Sequence, residues 1–472
     1  MTRTHPAPEV GTGDGRWSPR LWGLLLVLAG NMLIDALEVS VAVVALPAIG
    51  TDLGLPLTDV HWAMTGFAVG FGGLLLFGAR VVSLLGRRRV YLAALLAFAA
   101  ASALSALAQE PALLVATRVV KGFCAALTAP TGLAIIATAF PQGPPRDRAV
   151  SVYALFGAGG FTAGLLLSGW LTEFSWRLSF AFPAPVVLIL FALGLKLIPD
   201  EETGKANNAP RRYDIPGAVT FTAALLALVY GIGAVPAHGW TAPRAAGPLA
   251  AAVLLLLAFA VVERSTPEPL VRPLRNAALI RSALGAACLN GSYLGLLFVL
   301  TYQMQTVAGW SPLTAAMALV PAAVPPAVTA LASGGLVARF GAPRLIAAGA
   351  ACAFAGYLLQ LGPSWPLDYP ARLLPTLLLV GAAFVLSFAA LNMRATSELS
   401  PADRGAGSGL YQTAVQLAAA IAVAAVAALL ASAAVPGASA AEAVEACRPA
   451  LVFVAALGGV GLLVGLTGLR RG

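Results

Sequence analysis

About fourteen apolar runs, most of them near the ~20 residues a helix needs to cross a bilayer, follow one another along this 472-residue chain. Bounded by charge, Pro and Gly, they cover roughly 21–46, 61–85, 90–108, 112–138, 149–172, 179–198, 214–235, 245–263, 279–304, 314–336, 341–361, 371–394, 406–434 and 450–469. Only 10% of the residues are charged and 59% are apolar. A soluble domain has roughly 25% charged residues, so this chain lacks the polar surface to meet water on all sides. The net charge of +9 does not point to nucleic acid, because the basic residues come in small clusters between apolar runs. Arg16 and Arg20 precede an apolar stretch too long for a secretory signal, with no small-x-small cleavage site closing it, so a retained first helix is expected. Cys124, Cys288 and Cys352 fall inside apolar runs and Cys447 sits alone in a loop, which implies no disulfide framework.

Charge asymmetry tests the helix count, since one missed helix would invert every later loop. Of 29 Lys and Arg, four (Arg177, Arg244, Arg372, Arg448) fall in outer segments and four (Arg80, Arg118, Lys121, Lys196) within spans. The remainder, about 21, fall inside if the amino terminus is cytoplasmic, among them Arg87, Arg88, Arg89, Arg146, Arg148, Arg211, Arg212, Arg272, Arg275, Arg344, Arg470 and Arg471. Both termini are therefore expected in the cytoplasm. Polar stretches at 199–213 and 263–281 isolate one helix pair, with six helices before it and six after. The expected fold is an all-α integral membrane protein: a tail and six-helix bundle (1–198), linkers with a two-helix insertion (199–278), and a second six-helix bundle (279–472).

Charges inside the spans are few and informative, because one at the bilayer centre costs roughly 2.5–3.5 kcal/mol and needs a partner or a hydrated cavity. Asp35 and Glu38 lie three positions apart on the first helix, and Arg118 and Lys121 have the same spacing on the fourth. Counted from Pro47, Glu38 lies roughly 14 Å deep; counted from Pro111, Arg118 and Lys121 lie roughly 10 and 15 Å deep. Acids and bases share one level. They form either an acidic pair that takes and releases a proton beside a basic pair, or a static ion cluster that locks two helices. Glu173, Glu263 and Glu398 sit at or beyond span ends, where solvation accounts for them.

Several strings resemble the major facilitator superfamily, and within it the fourteen-helix drug:proton antiporter branch, over nearly the whole chain. EVSVAVVALP (Glu38 to Pro47) resembles D-x-T-x-x-x-x-A-L-P, which puts Glu38 on the branch's functional acid; Asp35 is an additional acid one turn earlier. ARVVSLLGRRR (Ala79 to Arg89) resembles G-x-L-A-D-R-x-G-R-R-R, keeping Gly86, Arg87, Arg88 and Arg89 but carrying Ser83 and Leu84 for the Asp and Arg. In the family that Asp helps latch the cytoplasmic gate. LLVATRVVKGFCAAL (Leu113 to Leu127) matches the fourth-helix signature, with Arg118 and Gly122 retained and Lys121 where Gln is usual. GLLLSG (Gly164 to Gly169) sits on the exporter signature G-P-x-x-G-G with Leu165 and Ser168 substituted, and SWRLSFAFPAP (Ser175 to Pro185) resembles S-W-R-x-x-F-x-x-N-x-P. YQMQTVAGWSPLTAAMALVP (Tyr302 to Pro321) and RGAGSGLYQTAVQL (Arg404 to Leu417) resemble second-half segments.

The resemblance implies proton coupling through Glu38, Asp35, Arg118 and Lys121, and conformational gating at Ser83, Gly86, Arg87, Arg88, Arg89, Gly164 and Gly169. In that architecture the expected wall of a substrate cavity comprises Asn31, Phe156, Phe161, Asn290, Tyr293, Gln303, Asn392, Tyr411, Gln412 and Gln416, aromatics with a few amides. GFGG (Gly70 to Gly73) and GAGG (Gly157 to Gly160) are expected as close-packing surfaces. No G-x-x-x-x-G-K-[ST] string supports ATP use, and His5, His61 and His238 form no H-E-x-x-H or metal cluster, so neither an enzyme, a metal site nor a cofactor is expected. The expected function is export of drug-like or antibiotic-like small molecules by a monomer in a bacterial-type plasma membrane, driven by the proton gradient. A proton-independent facilitator or importer, or a transporter-like sensor, stays open.

Overall fold

A computed structural model describes residues 17–200, 214–266, 276–329, 331–362, 365–400, 403–434 and 437–469. His5 and the basic residues Arg16, Arg211, Arg212, Arg272, Arg275, Arg470 and Arg471 lie outside the described residues. Among the described residues, fourteen helices are long and apolar enough to cross a membrane: α1 Pro19–Leu53, α2 Leu57–Leu85, α3 Arg87–Ala106, α4 Pro111–Ala139, α5 Pro144–Phe174, α6 Trp176–Leu197, α7 Ile215–His238, α8 Pro243–Ser265, α9 Ala277–Val307, α10 Pro312–Thr329, α11 Ala342–Leu359, α12 Tyr369–Ser397, α13 Arg404–Ala433 and α14 Ala440–Leu469. Helices are the outcome because lipid offers no partner to a backbone N–H or C=O, so each segment must bond to itself.

The ends of the helices are written in the local sequence. Ser18 accepts from the Leu21 amide, Asp214 from Gly217, Asn276 from Leu279 and Asp368 from Ala371, each quenching an amide that a helix start leaves bare. Proline stands in the first turn of α4, α5, α7 and α8, where its missing N–H costs nothing. Two expected boundaries moved. The first helix does not end near Leu46 but runs through Pro47 to a left-handed Gly54, so its 35 residues span roughly 52 Å and project beyond a bilayer core. The run expected at 314–336 is divided into α10 and a short helix, Ser333–Phe340.

Two six-helix bundles are built on the same pairing. Helix α1 lies along α5 and α2 along α4 in the first; α9 lies along α13 and α10 along α12 in the second. The short inter-helix links repeat as well: Gly86 between α2 and α3 has φ 87° and ψ 145°, and Gly341 before α11 has φ 79° and ψ 140°. Only glycine adopts that backbone readily, so LLGRRR and RFGAPR make one turn in two places. The bundles meet along two seams, α5 against α10 and α2 against α13. The inserted hairpin α7–α8 packs on itself and lays α7 over the α2–α13 seam, where Ala68, Val69, Leu225, Val229, Ala420 and Ala424 form one apolar cluster.

Without a hydrophobic force between helices in lipid, close backbone approach decides where they adhere. A Cβ added at Gly70 would run into the Val119 backbone, and one at Gly122 into the Phe67 backbone, so α2 and α4 touch main chain to main chain. Gly72 faces Gln416 of α13, Gly73 faces Thr222 and Leu225 of α7, and Gly157 and Gly160 face Met32, Leu33 and Ala36 of α1. The substitution Gly122→Val is expected to abolish the monodisperse folded species in size-exclusion chromatography of the solubilised protein. Gly159→Val, where an added Cβ meets nothing within 4 Å, is expected to leave that peak intact.

Candidate functional site

Inside the first bundle, α1 and α4 bring three charges into direct contact. Arg118 pairs with Glu38 through Nη1 and Oε2, donates from Nη2 to the Glu38 carbonyl at 3.0 Å and from Nε to the Ala63 carbonyl of α2 at 2.5 Å. Lys121 Nζ lies 2.6 Å from the other Glu38 oxygen, Oε1. Both carboxylate oxygens are thus taken by cations. Spacing explains the grip: Arg118 and Lys121, three apart, project from one face of α4 and close on a single carboxylate from two sides. Aromatic rings complete the enclosure. Arg118 lies over Phe67 (5.0 Å) and Phe180 (5.6 Å), and Lys121 over Phe98 (5.4 Å) and Phe180 (5.3 Å), so α2, α3 and α6 supply ring faces to cations stripped of water.

Asp35, one turn away on α1, has different company. It accepts from Asn31 Nδ2 at 2.9 Å and from Thr128 Oγ1 at 2.9 Å, both on Oδ2, and its Oδ1 has no hydrogen-bond partner. The two acids share a face of α1 but not their partners. Asp35 is held by neutral donors and Glu38 by cations. All four ionisable groups are sealed in this conformation: Glu38, Arg118 and Lys121 are 0% exposed and Asp35 4%.

The residues expected at the gate divide into separate jobs. Ser83 is exposed and donates to the Arg80 carbonyl on its own helix at 2.8 Å. Gly86 makes the turn into α3, Arg88 donates to the Leu195 carbonyl at 2.7 Å and pairs with Asp200, and Arg87 and Arg89 flank it on the first turn of α3. Arg88 therefore ties α3 to α6 within one bundle. Gly164 receives Ser40 and the Leu37 backbone from α1, whereas Gly169 receives Ala316, Leu313 and Pro312 from α10 across the seam.

The cavity candidates also divide. Phe161 and Tyr293 meet at 5.7 Å between ring centroids, joining α5 of one bundle to α9 of the other. Tyr293 lies 4.6 Å from Phe384 of α12, which stacks on Phe388 at 5.7 Å. Phe384 and Phe388 were missed in the sequence, although their four-residue spacing puts both rings on one helix face. Asn290 donates to the Val415 carbonyl at 3.2 Å, Gln412 is half-buried on α13, Gln416 packs against Gly72 at the α2–α13 seam, and Asn392 is exposed. The remaining candidates turn inward within a bundle. Asn31 is 1% exposed and bonded to Asp35, Phe156 packs on the first bundle's core, Gln303 is buried in the last, π-helical turn of α9, and Tyr411 is 1% exposed in the apolar core.

Contacts at the far end of α1 from its amino terminus were invisible in the sequence. Asp52 pairs with Arg177 and accepts from Trp176 Nε1 at 3.0 Å, fixing the projecting end of α1 to the start of α6. Gln305 Nε2 donates to the Val44 carbonyl at 3.1 Å, and Glu173, expected to be merely solvated, accepts from the Leu313 amide at 2.9 Å, capping α10 from the other bundle. At this end the bundles are bonded to each other.

Among the described residues, twelve spans in two like bundles, with two more in an inserted hairpin and buried charge in the first bundle, define a polytopic membrane protein of carrier type. Residues 28–423 match the model of the Major Facilitator Superfamily, and the chain belongs to that family. It is 35% identical over 422 residues to the puromycin resistance protein pur8 of Streptomyces alboniger, covering 88% of this chain and 82% of that protein. It is 34% identical over 430 residues to the cephamycin export protein CmcT of Amycolatopsis lactamdurans, covering 90% of this chain and 87% of that one. The crystal structure of the peptide transporter POT in complex with sulfate shares the fold, with a TM-score of 0.66 at 15% identity over 98% of this chain and 96% of that one.

The two acids are expected to separate by stability. Removing the carboxylate in Glu38→Gln leaves Arg118 and Lys121 buried without a counter-charge, a loss on the order of 3–5 kcal/mol, read as a lowered midpoint in thermal unfolding of the solubilised protein. Asp35→Asn keeps the shape and leaves the ion set intact, so its midpoint is expected to stay near that of the unaltered chain.

Proposed function

We propose that the chain is a proton-coupled exporter of drug-like or antibiotic-like small molecules, working by alternating access as a monomer, with the proton gradient as its only energy source. One observation carries this reading. Two carboxyl groups lie one turn apart in the membrane interior; Glu38 is fixed by Arg118 and Lys121, while Asp35 has neutral partners and one oxygen free. An intramembrane acid without a cationic partner is expensive to keep and marks an ion pathway more readily than a structural lock. Asp35 takes and releases the proton, and Glu38 holds the cations that set the charge of its surroundings. The names of the relatives, a resistance protein and an export protein, favour outward movement of the ligand.

With the amino terminus in the cytoplasm, as the arginine distribution suggests, the bonded end of the two bundles faces outward. The Gln305–Val44 and Glu173–Leu313 bonds then close the outer side, and Gly169 lets α5 and α10 come close enough to form the second. Sealed as it is, Asp35 exchanges its proton in a different conformational state, and the rocking of one bundle against the other supplies that state.

Inverted vesicles carrying a quenched pH probe, energised with a proton gradient, are expected to lose internal acidity when a carried compound is added, an uncharged aromatic antibiotic being the first to try. Asp35→Asn is expected to abolish the response. An unchanged response in that variant would overturn the assignment of the proton to Asp35, and an unchanged response in Glu38→Gln as well would leave the four residues as a structural lock.

A further inference from the structure

We infer that the carried ligand is an uncharged, flat, ring-containing molecule that stacks on Phe161, Tyr293, Phe384 and Phe388, and that a formal positive charge excludes it. This rests on the exporter reading above and deepens it by naming the substrate class.

Position is the first observation. Each of Phe161, Tyr293 and Phe384 stands near the middle of its helix, on α5, α9 and α12, so the rings gather at mid-membrane height. The group crosses the boundary between bundles, with Phe161 from the first and the other three from the second. Tyr293 is buried, while Phe161, Phe384 and Phe388 are half-buried, so three of the four rings keep uncovered surface. Rings offered from three helices of two moving bodies match a ligand bound by both and released when they part.

Charge is the second. Among the described residues, Asp35 and Glu38 are the only acids in the interior of a span; the other described acids stand near helix ends or in loops. Neither interior acid is available to a ligand. In this conformation Glu38 has a cation on each oxygen, Asp35 is bonded to Asn31 and Thr128, and both side chains are buried. With Asp35 ionised the set balances two cations against two carboxylates, and with Asp35 protonated it carries a positive surplus, so in neither state does it offer a cationic ligand net negative charge. Aromatic faces attract cations too, but here the rings lean on each other, with Phe384 and Phe388 at 28° between planes, and that attraction is weaker than the penalty of desolvating a charge without a counter-ion.

The test is equilibrium binding to the full chain in lipid nanodiscs with no gradient imposed, read by tryptophan quenching after subtraction of empty discs. The probes are one anthraquinone carboxamide with a neutral hydroxyethyl arm and the same ring with a trimethylammonium arm. The neutral probe is expected to bind at least tenfold more tightly, and Phe384→Leu and Phe161→Leu each to weaken it about tenfold at an unchanged melting temperature. Equal or tighter binding of the cationic probe, or no binding of the neutral one, overturns the inference, and neither result depends on any variant folding. Binding requires no proton movement, so loss of proton efflux in vesicles with selective binding intact overturns the exporter reading alone.

Discussion

Glu38 holds two cations in the membrane interior, and the first bundle is arranged around that contact. Arg118 and Lys121 cannot remain charged in lipid without it, and a carboxylate facing two cations cannot be exchanged for a neutral group without exposing both. The ion set reaches further through its secondary bonds. Arg118 donates to main-chain carbonyls of α1 and α2, and the rings over the cations come from α2, α3 and α6, so five helices are oriented by one carboxylate. The close approach of α2 and α4 at Gly70 and Gly122 is what lets Arg118 reach Ala63, since side chains at either glycine would hold the helices apart.

The two bundles, built on the same pairing, meet chiefly at their seams among the described residues. Small residues line them: Gly169 against α10, Gly72 against α13. Few specific bonds cross, and those involving the end of α1 and the end of α5 lie together on one side, where the Glu173 carboxylate caps a helix belonging to the other bundle. A cap of this kind contributes roughly 0.5–2 kcal/mol, small beside the buried ion set of the first bundle. The inserted α7 covers the α2–α13 seam, and so restrains one side of the molecule more than the other.

Departures from the family's motifs acquire physical content in this frame. Ser83 bonds to its own helix, so nothing at that position latches the bundles together; the neighbouring arginine Arg88 fastens α3 to α6 instead. Lys121, standing where Gln is usual, takes the second oxygen of Glu38 and so leaves the additional acid, Asp35, as the carboxyl with no cation of its own. Leu165 and Ser168 both face the protein interior, and Ser168 donates to the Val41 carbonyl at 3.0 Å, joining α5 to α1 where the signature has a glycine.

Helix number, the two-bundle division and the level of the four buried charges were legible in the residues themselves, because each depends on quantities local to the chain: run length against bilayer thickness, loop charge, and the rise of a helix. The glycine contacts were legible too, as small residues spaced along spans. What each charged or aromatic group touches was not. Asp35 and Glu38 look alike in the sequence, and only the rotation of α1 against α4 gives one of them cations and the other Asn31 and Thr128. Phe384 and Phe388 become a surface only when α12 is set beside α9 and α5, while Asn31, Gln303 and Tyr411, equally plausible by type, turn into a bundle's interior. Side-chain chemistry and spacing belong to a single helix, whereas partnership depends on the angle and depth at which several helices pack, and that is decided by contacts between residues far apart in the chain.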